Sequence, residues 1–506
     1  MPRTFLRVAA AAALAVAIGC NNDNLTSINN NPNAPTSVPP AAVFTNAAQS
    51  SADNWLGSTY DLRDIELIVQ HFAENQYIGN DQYKGLTATS FNTLFQSAYG
   101  VDLEDFQVVV RAGRAANDAS LWAPALIMQQ WEFGYLTDTF GDIPYSQALA
   151  ADSSTKVLSP AYDTQQSIYN GFFANLQAAS TALQSTTGSS LGSADIIYGG
   201  SKTAWQKFAN SLHARDALRI INVDPAKANA ELTAAFAAPG GVFMSNADNA
   251  QINWPGDGVF NNPWAVNFSS RDDDRMSKTL VDTLNHYSDP RVAIYAMPAA
   301  ATGAYVGQPN GLTNASAVAY SDTASRPGAI FYPGPVAYGT GFYGGNGNKQ
   351  PSYLMTYAEV AFIQAEAAAR GLGGLTPGQA AAFYTAGITA SMQQWGVASG
   401  DIATYLAQPS VVYQGGVAGL KQIALQKWIA LFSDGGQAWF EWRRTCTPTL
   451  VPALNNNSLG YVPRRAKYPV IEQQANFTQL QAAITRQGDS YNSRVWWDKT
   501  GAPTCP

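Results

Sequence analysis

The clearest hydrophobic pattern in the chain lies between Leu420 and Arg444. Apolar residues recur there every three or four positions, with lysines and glutamines between them, and this spacing predicts an amphipathic helix. The segment Ser433–Gly436 predicts the end of that helix, because paired glycines tolerate the positive φ angles at which helices close. The aromatic run Trp439–Trp442 follows at once. Aromatic side chains bury the largest areas, so this run is expected to anchor the centre of the fold.

The same helical spacing recurs in several other stretches. They are Phe44–Ala73, Phe91–Gly113, Leu121–Leu136, Lys202–Asn222 and a stretch that starts at Tyr353. The last of these ends at a run of glycines, after which Thr376 and Pro377 begin another helix as its N-cap and first residue. Small alanine side chains allow these two helices to approach closely. The pattern predicts helical pairs of the tetratricopeptide type between about residues 353 and 444.

Helical spacing is lost between about residues 237 and 352, where glycine, proline and scattered aromatic residues predominate. Short β-hairpins and long loops are predicted there. Within this region, Arg271–Arg275 places three aspartates between two arginines. Such carboxylates can bind calcium, but no spaced acidic loop motif is present. Pairing between the Asp and Arg side chains is therefore the favoured interpretation.

The N-terminus predicts an exported, lipid-anchored protein. Arg3 and Arg7 precede a short apolar run, which is typical of a secretory signal peptide over residues 1–19 and is too short for a membrane span. Ala17–Cys20 resembles a bacterial lipobox, in which the cysteine is lipidated after cleavage. An ordinary signal peptide with an incidental cysteine is the alternative. Residues 20–40 then predict an extended tether, since they are rich in Asn, Pro, Ser and Thr.

Cys446 and Cys505 are the only cysteines besides Cys20. An oxidising compartment would allow them to pair and to fix the C-terminal tail. This disulfide is a hypothesis, and two reactive thiols in the native, non-reduced protein would exclude it.

The charge content limits the classes of ligand. Only 13% of the 506 residues are charged, about half of the usual share, and the net charge is −7. No run of lysine and arginine stands out, so nucleic-acid binding is not expected, because its affinity depends on neutralising phosphates. A surface rich in amides and hydroxyls suits neutral polar ligands instead.

The chain shows no recognisable catalytic motif. Its three histidines are far apart, and no Cys or His stands at metal-ligand spacing. Neither a nucleophile elbow nor a phosphate-binding loop is present. Glu104, Asp105 and Glu132 have the chemistry for glycoside hydrolysis, but they carry no signature and are interpreted as surface acids. No catalytic residue, metal site or cofactor is therefore predicted.

Several short motifs, taken in this order, resemble the SusD/RagB family of outer-membrane nutrient-binding lipoproteins. They are Asn31–Asn33, Phe140–Tyr145, Asp289–Arg291, Tyr357–Ala369, Gln426–Trp428, Trp439–Arg444, Pro463–Arg465 with Tyr468–Pro469, and Val495–Asp498. The resemblance implies a mainly α fold, in which four tetratricopeptide-like helical pairs support an irregular half that holds the ligand. It also implies an outer-membrane, cell-surface location and one partner, a SusC-type TonB-dependent barrel on which the lipoprotein sits as a lid.

Together with the hydrophobic pattern, the resemblance predicts one body over residues 41–506. Its irregular region covers about residues 237–352 and carries the ligand site, and the tetratricopeptide-like helices follow over about 353–444. A C-terminal tail over residues 445–506 is expected to lie across the body rather than to form a domain.

The resemblance further implies that the protein captures an oligosaccharide and delivers it to the barrel without catalysis. Sugar binding needs aromatic faces for the ring and planar polar groups for the hydroxyls. Eight residues supply such groups: Tyr77, Asn80, Asp81 and Tyr83 from one early loop, and Trp254, Trp264, Arg271 and Tyr343 from the irregular region. Two alternatives remain open. One keeps the fold and partner but has a peptide or another polymer as ligand, and the other is an extracellular glycan-cleaving enzyme.

Overall fold

The helices predicted from the apolar spacing pack against one another in the computed structural model of the protein. It describes residues 38–84, 86–151, 156–185, 189–334, 336–338, 341–456 and 459–498, with backbone alone for 336–338 and 341–343. Helices hold most of the described residues and strands only a few, which confirms the mainly α class.

The α-helices of the described residues follow in chain order. They are α1 (Pro40–Leu56), α2 (Glu66–Ile68), α3 (Asn92–Ser97), α4 (Leu103–Ala115), α5 (Ala119–Phe140), α6 (Gln165–Ser185), α7 (Lys202–Arg219), α8 (Pro225–Ala237), α9 (Pro263–Phe268), α10 (Lys278–His286), α11 (Val292–Tyr295), α12 (Asn314–Ala317), α13 (Tyr357–Arg370), α14 (Ala380–Gln394), α15 (Ser399–Leu406), α16 (Gly416–Ala430), α17 (Gly435–Thr445), α18 (Val470–Ala475) and α19 (Phe477–Gln487). Two π-helical segments, Ser58–Ile65 and Ala98–Asp102, lie between them.

The strands are short and form antiparallel pairs. β1 (Phe72–Glu74) pairs with β5 (Asp274–Met276), β2 (Ile143–Pro144) with β3 (Tyr162–Asp163), β4 (Ala250–Ile252) with β8 (Ser352–Met355), and β6 (Val336–Tyr338) with β7 (Gly341–Tyr343). Of the strands in the irregular region, β6 and β7 form a local hairpin, whereas β4 and β5 pair with strands outside it. The region also contains the short helices α9 to α12, which the sequence pattern did not predict.

Successive helices pack in pairs within one compact unit that covers residues 40–506. α4 packs on α5, α6 on α7 and α13 on α14, and α13 also contacts α16. The predicted boundary between α13 and α14 is confirmed. Gly371 closes α13 in the left-handed conformation at φ 68°, and Thr376 forms a capping box with Gln379 before α14. The fold is therefore of the tetratricopeptide type that the resemblance implied.

The single helix predicted over Phe44–Ala73 is wrong. α1 ends at Leu56, a π-helical segment follows, and β1 begins at Phe72. Gly57 adopts an extended conformation at the break, and a Cβ atom there would lie 1.9 Å from the Asp53 carbonyl oxygen. The chain can therefore turn at this position only with glycine.

The prediction that Ser433–Gly436 ends a helix is only half correct. α16 has already ended at Ala430, and Gly435 and Gly436 are the first two residues of α17, where the Asp434 side chain accepts from the Gln437 amide. A Cβ atom on Gly435 would lie 2.8 Å from Asp61 Oδ1, and one on Gly436 would lie 2.6 Å from the Tyr135 ring. Close packing, rather than helix termination, explains the two glycines.

The aromatic run in α17 lies in the core, as predicted. Trp439, Phe440 and Trp442 are each at most 1% exposed. Arg443 stacks over the Trp439 ring at 4.1 Å and donates to the carbonyl oxygens of Arg464 and Asp138. The C-terminal tail is thus joined to α5 through α17.

A buried ionic network connects four helices beside this aromatic run. Glu441 accepts from Arg444 at 2.7 Å and from Arg219 at 2.8 Å, and Lys427 lies 3.4 Å away. Arg444 also donates two hydrogen bonds to Glu366. Burial alone would raise the pKa of Glu441, but Arg444, Lys427 and Arg219 hold that pKa well below its usual range. Glu441 is therefore ionised and bridges α7, α16 and α17.

The interpretation of Glu132 as a surface acid is wrong. Its carboxylate is fully buried and accepts from Trp55 at 3.0 Å and from Ser51 at 2.9 Å. Burial raises the pKa of Glu132, and the nearby Asp102 raises it further. The residue joins α5 to α1 and has no contact with solvent.

Candidate functional site

Tyr77 presents the most exposed aromatic ring among the predicted site residues that the structure describes. Its side chain is 70% exposed, and its backbone is left-handed at φ 54°. A bulky residue rarely adopts that conformation, which costs of the order of 1–3 kcal/mol and concentrates at functional sites. The loop between β1 and α3 therefore holds this ring outward at a free-energy cost.

Arg271 lies over the Tyr77 ring, with its guanidinium carbon 5.0 Å from the ring centre. Asp273 orients the guanidinium by accepting from Nε at 3.0 Å and also from Nη2. Arg271 lies three residues after the end of α9 and remains partly exposed, whereas Asp273 is 3% exposed. The result is an aromatic ring beside a fixed hydrogen-bond donor, which is named here the Tyr77–Arg271 surface.

Buried polar groups fix the Tyr77 loop from below. Asp81 accepts from the Gly311 amide at 2.8 Å and from Asn310 Nδ2 at 2.7 Å. Asp81 and Glu74 also accept from each other's backbone amides at 3.3 Å. These bonds join the loop to β1 and to the segment before α12, so the position of Tyr77 depends on residues far away in the sequence.

The C-terminal tail also forms hydrogen bonds with the residues that hold the Tyr77 loop. The Ala453 amide donates to the Tyr83 hydroxyl at 3.2 Å, and the Leu454 amide donates to the Asn310 carbonyl at 3.1 Å. Gly311 makes this approach possible: it has φ 76°, and a Cβ atom there would lie 2.6 Å from Ala453 Cβ. Three distant segments of the chain therefore meet beneath Tyr77.

Burial raises the pKa values of the carboxyl groups that hold the Tyr77 loop. It raises the pKa of Asp81 to about 7, although the bonds from Gly311 and Asn310 act in the opposite direction. Burial also raises the pKa of Glu74, and the charges of Asp274 and Asp81 add to the effect. Asp274 lies directly opposite Glu74 in the β1–β5 pair.

The structure gives several predicted ligand residues a packing role. Asp81 is fully buried, Tyr83 is 1%, Trp264 3% and Trp254 5% exposed. Trp264 packs among Phe72, Phe331 and Phe432, and Trp254 donates to Ser352 Oγ at 2.9 Å. These four side chains present no face to a ligand, because they are buried. The sequence prediction included them because local loop composition does not reveal which aromatic or polar residues the fold will bury.

The remaining predicted ligand residues whose side chains are described are not buried in the core. Asn80 is partly exposed and donates to the Arg63 carbonyl at 2.9 Å, which fixes the loop that carries Tyr77. Tyr343 is the last residue of β7, where the structure describes the backbone alone. Tyr77 and Arg271 are in contact with each other, and their role in binding a ligand stays a prediction. Asn310 and Gly311 were missed, because no local motif distinguishes them from other loop residues.

The Asp–Arg pairing predicted for Arg271–Arg275 is confirmed. Arg275 donates to Asp272 at 3.1 Å, and Asp272 also accepts from Arg326 at 2.7 Å. Among the described residues, no group of three or more His, Cys, Asp or Glu side chains is arranged to hold a metal ion.

Three cavities of the described part of the chain lie away from the predicted ligand residues whose side chains are described. A cavity of about 640 Å³ lies between the Ala98–Asp102 segment and α18. Others of about 480 and 420 Å³ lie beside the start of α6 and between α10 and α16. The Tyr77–Arg271 surface is instead open, which suits an extended ligand better than a small enclosed one.

Cys446 ends α17 in a left-handed conformation and is disulfide-bonded. Cys505 lies outside the described residues, as does the lipidation candidate Cys20. The pairing of Cys446 with Cys505 therefore stays a prediction. Among the described residues, no helix combines the length and hydrophobicity needed to cross a bilayer.

The match with a family model decides the classification. The SusD-like model, described as "Starch-binding associating with outer membrane", matches residues 32–469. The chain belongs to this SusD-like family. The resemblance found from the short motifs is thereby confirmed.

Solved structures of SusD homologues share this fold. A chitin-binding protein is 29% identical, with a TM-score of 0.78, over 91% of this chain and 100% of its own. A chitin-binding SusD homologue from Flavobacterium johnsoniae is 27% identical, with a TM-score of 0.76, over 91% and 99%. A SusD homologue from Bacteroides uniformis is 26% identical, with a TM-score of 0.77, over 91% and 99%. No curated protein matches the sequence.

The buried carboxyl groups predict that stability falls as the pH rises. Burial raises the pKa of Asp64 to about 7, against an opposing effect of Arg63, and it raises the pKa of Asp434 to about 7. The unfolded chain releases these protons near pH 4, so the folded state binds more protons between about pH 4 and 7. The free energy of unfolding therefore decreases as the pH rises through that window.

We expect a higher Tm at pH 5 than at pH 8, and a smaller difference for the Asp64→Asn variant. Thermal unfolding followed by circular dichroism measures both. Asp257→Asn is the matched control, since Asp257 is exposed and its pKa is lowered by the Phe260 and Val259 amides. An Asp64→Asn variant with the full wild-type difference would contradict this assignment.

Proposed function

We propose that the protein binds an oligosaccharide outside the cell at the Tyr77–Arg271 surface. Its SusD-like family is described as starch-binding, and two homologues described as chitin-binding match it over 91% of its length. That likeness is the observation that carries the proposal. Because both relatives are described as binding chitin, fragments of chitin are the first glycans to test.

The chemistry of the surface supports a sugar ligand. The apolar face of a pyranose ring packs well on an aromatic ring, and the exposed Tyr77 ring offers such a face. Arg271 supplies planar N–H donors for hydroxyl or acetamido oxygens beside the ring. The buried bonds of Asp81 hold the ring in place before binding, so little ordering of the loop opposes association.

We further propose that the protein delivers this ligand to a SusC-type TonB-dependent barrel in the outer membrane. The description of the family supports an association with that membrane. Lipidation of Cys20 would anchor the protein, and residues 20–40 would act as its tether, since the chain has no other long apolar run. Co-purification of the barrel with the lipidated protein from solubilised membranes tests the partnership. Its absence under conditions that retain glycan binding would contradict it.

The Tyr77→Ala variant is expected to bind an oligosaccharide about tenfold or more weakly than the wild type, because it loses the stacking face. Calorimetric titration with chitin oligosaccharides measures the change. Phe477→Ala is the matched control, since the Phe477 ring is 57% exposed on α19 and outside this surface. Its affinity should stay within about twofold of the wild type.

If the Tyr77→Ala variant bound the oligosaccharide as tightly as the wild type, the binding site would have to lie elsewhere on the protein. The Tyr77→Phe variant separates the ring from its hydroxyl group, because it keeps the stacking face. We expect it to retain most of the affinity. Equal losses for the alanine and phenylalanine variants would show that the hydroxyl, rather than the ring face, makes the contact.

A further inference from the structure

A second cavity, of about 480 Å³, lies where α6 begins against the C-terminal tail. It is lined by Arg486 of α19, by Arg494 and Trp496 of the tail, and by Asp142 and Gln165. None of the residues of the Tyr77–Arg271 surface lines it. Its volume is in the usual range for ligand sites, which is about 300–1,000 Å³.

The charges around this cavity favour an anion. Arg494 lies 3.3 Å from Asp498, but that carboxylate already accepts two bonds from Arg464, at 2.6 and 2.9 Å. Two guanidinium groups therefore share one carboxylate, which leaves a surplus positive charge beside the cavity. Arg494 is 27% exposed, whereas Asp498 is fully buried, so the surplus is on the accessible side.

Arg486 adds a second guanidinium, which is paired with one carboxylate but remains accessible from the cavity. Its Nε donates to Asp142 Oδ2 at 2.8 Å and its Nη2 donates to the Tyr162 carbonyl at 2.9 Å, while its side chain is 39% exposed. The other Asp142 oxygen accepts from the Gln165 amide at 3.0 Å, at the first residue of α6. The positive end of the α6 dipole is therefore directed at Asp142, so the attraction for an added anion comes from the exposed parts of Arg486 and Arg494.

Trp496 provides an apolar wall for the cavity. It is partly exposed, and its ring lies 6.1 Å from that of Tyr169. Gln487 lines another part, and its amide is held by the Phe140 carbonyl at 3.1 Å. An aromatic wall with arginines and an amide suits a ring that carries a carboxylate, because arginine binds carboxylates with two parallel bonds.

We propose that this cavity is a separate binding site for a carboxylate-bearing sugar, such as a uronic acid unit. Arg486 and Arg494 would bind the carboxylate, and Trp496 would pack on the apolar face of the sugar ring. The site does not depend on the Tyr77–Arg271 surface. The protein would accordingly bind acidic glycans even when that surface is removed.

Titration of the purified protein with trigalacturonate tests this site, with maltotriose as the neutral probe and acetate as an anion without a ring. We expect trigalacturonate to bind at least about tenfold more tightly than either. The difference in affinity between trigalacturonate and the other two probes should decrease as the salt concentration is raised from about 0.05 to 0.5 M, because the guanidinium groups are partly exposed. Equal binding of trigalacturonate and maltotriose would overturn the proposal, as would equal binding of trigalacturonate and acetate.

Substitutions of the cavity residues test whether trigalacturonate binds in the cavity. Arg486→Gln, Arg494→Gln and Trp496→Ala should each weaken trigalacturonate about tenfold, and their thermal unfolding shows whether they remain folded. Arg114→Gln is the matched control, since Arg114 lies 5.3 Å from the Trp122 ring and outside the cavity. It should change the affinity by less than about twofold. Wild-type affinity in all three folded cavity variants would overturn the proposal.

Tyr77→Ala separates the two sites. We expect it to leave trigalacturonate binding unchanged even if it abolishes binding of a neutral glycan. Loss of trigalacturonate binding in this variant would place the acidic probe at the Tyr77–Arg271 surface and overturn the second site. Failure of the neutral glycan to bind would count against the proposed function alone.

Discussion

Glu441→Gln is expected to lower the free energy of unfolding by about 3–5 kcal/mol, as is usual when one partner of a buried ion pair is removed. Glu441 is 5% exposed and bridges Arg444, Arg219 and Lys427. Glutamine keeps the shape of the side chain but removes the charge. Three buried cations would then lose a shared carboxylate in a region where water cannot replace it. Urea unfolding of the wild type and the variant measures the difference.

Glu104→Gln is the matched control for this substitution. Glu104 pairs with Arg111 at 3.3 Å, but about one third of each side chain is exposed. Exposed pairs contribute only about 0–1 kcal/mol, so the variant should unfold near the wild-type midpoint. Equal effects of the two substitutions would show that the buried network does not connect the helices as described.

Trp264→Ala is expected to lower the free energy of unfolding by about 3–5 kcal/mol, because it leaves a large cavity in an aromatic cluster. The Trp264 ring lies 5.5 Å from both Phe72 and Phe331 and 6.2 Å from Phe432. The cluster joins α9 to β1 and to the end of α16. Urea unfolding again reports the loss.

Tyr77→Ala provides the contrast for this prediction. The Tyr77 side chain is 70% exposed, so its removal should change the free energy of unfolding by only about 0.5 kcal/mol. The two variants thus separate packing from binding: one loses stability and the other loses affinity. A Trp264→Ala variant with wild-type stability would contradict the packing role assigned to this tryptophan.

The sequence predicted the helical scaffold well because its information is local. The apolar spacing of α13 and α16, and the Thr376–Gln379 cap, lie within single elements. The break at Gly57 was missed because it depends on the Asp53 backbone of the preceding turn. Gly435 and Gly436 were misinterpreted for a similar reason, since Asp61 and Tyr135 become their neighbours only in the folded protein.

The candidate site was harder to predict, because its residues come together from distant parts of the chain. Composition drew attention to the Tyr77 loop and to Arg271, which do meet. It could not distinguish the exposed Tyr77 from the buried Tyr83 a few residues later. Nor could it show that Asn310 and Gly311 hold the loop, since their role arises from long-range bonds to Asp81.

Glycan binding without catalysis is tested by a binding titration of the purified protein with a panel of oligosaccharides and a panel of peptides. Chitin oligosaccharides come first, and chromatography of every mixture reports any cleavage product. We expect that at least one glycan binds, that no product forms, and that Tyr77→Ala weakens the binding. Binding of peptides alone would replace the ligand class, and cleavage of a glycan would contradict the proposal that the protein binds and delivers without catalysis.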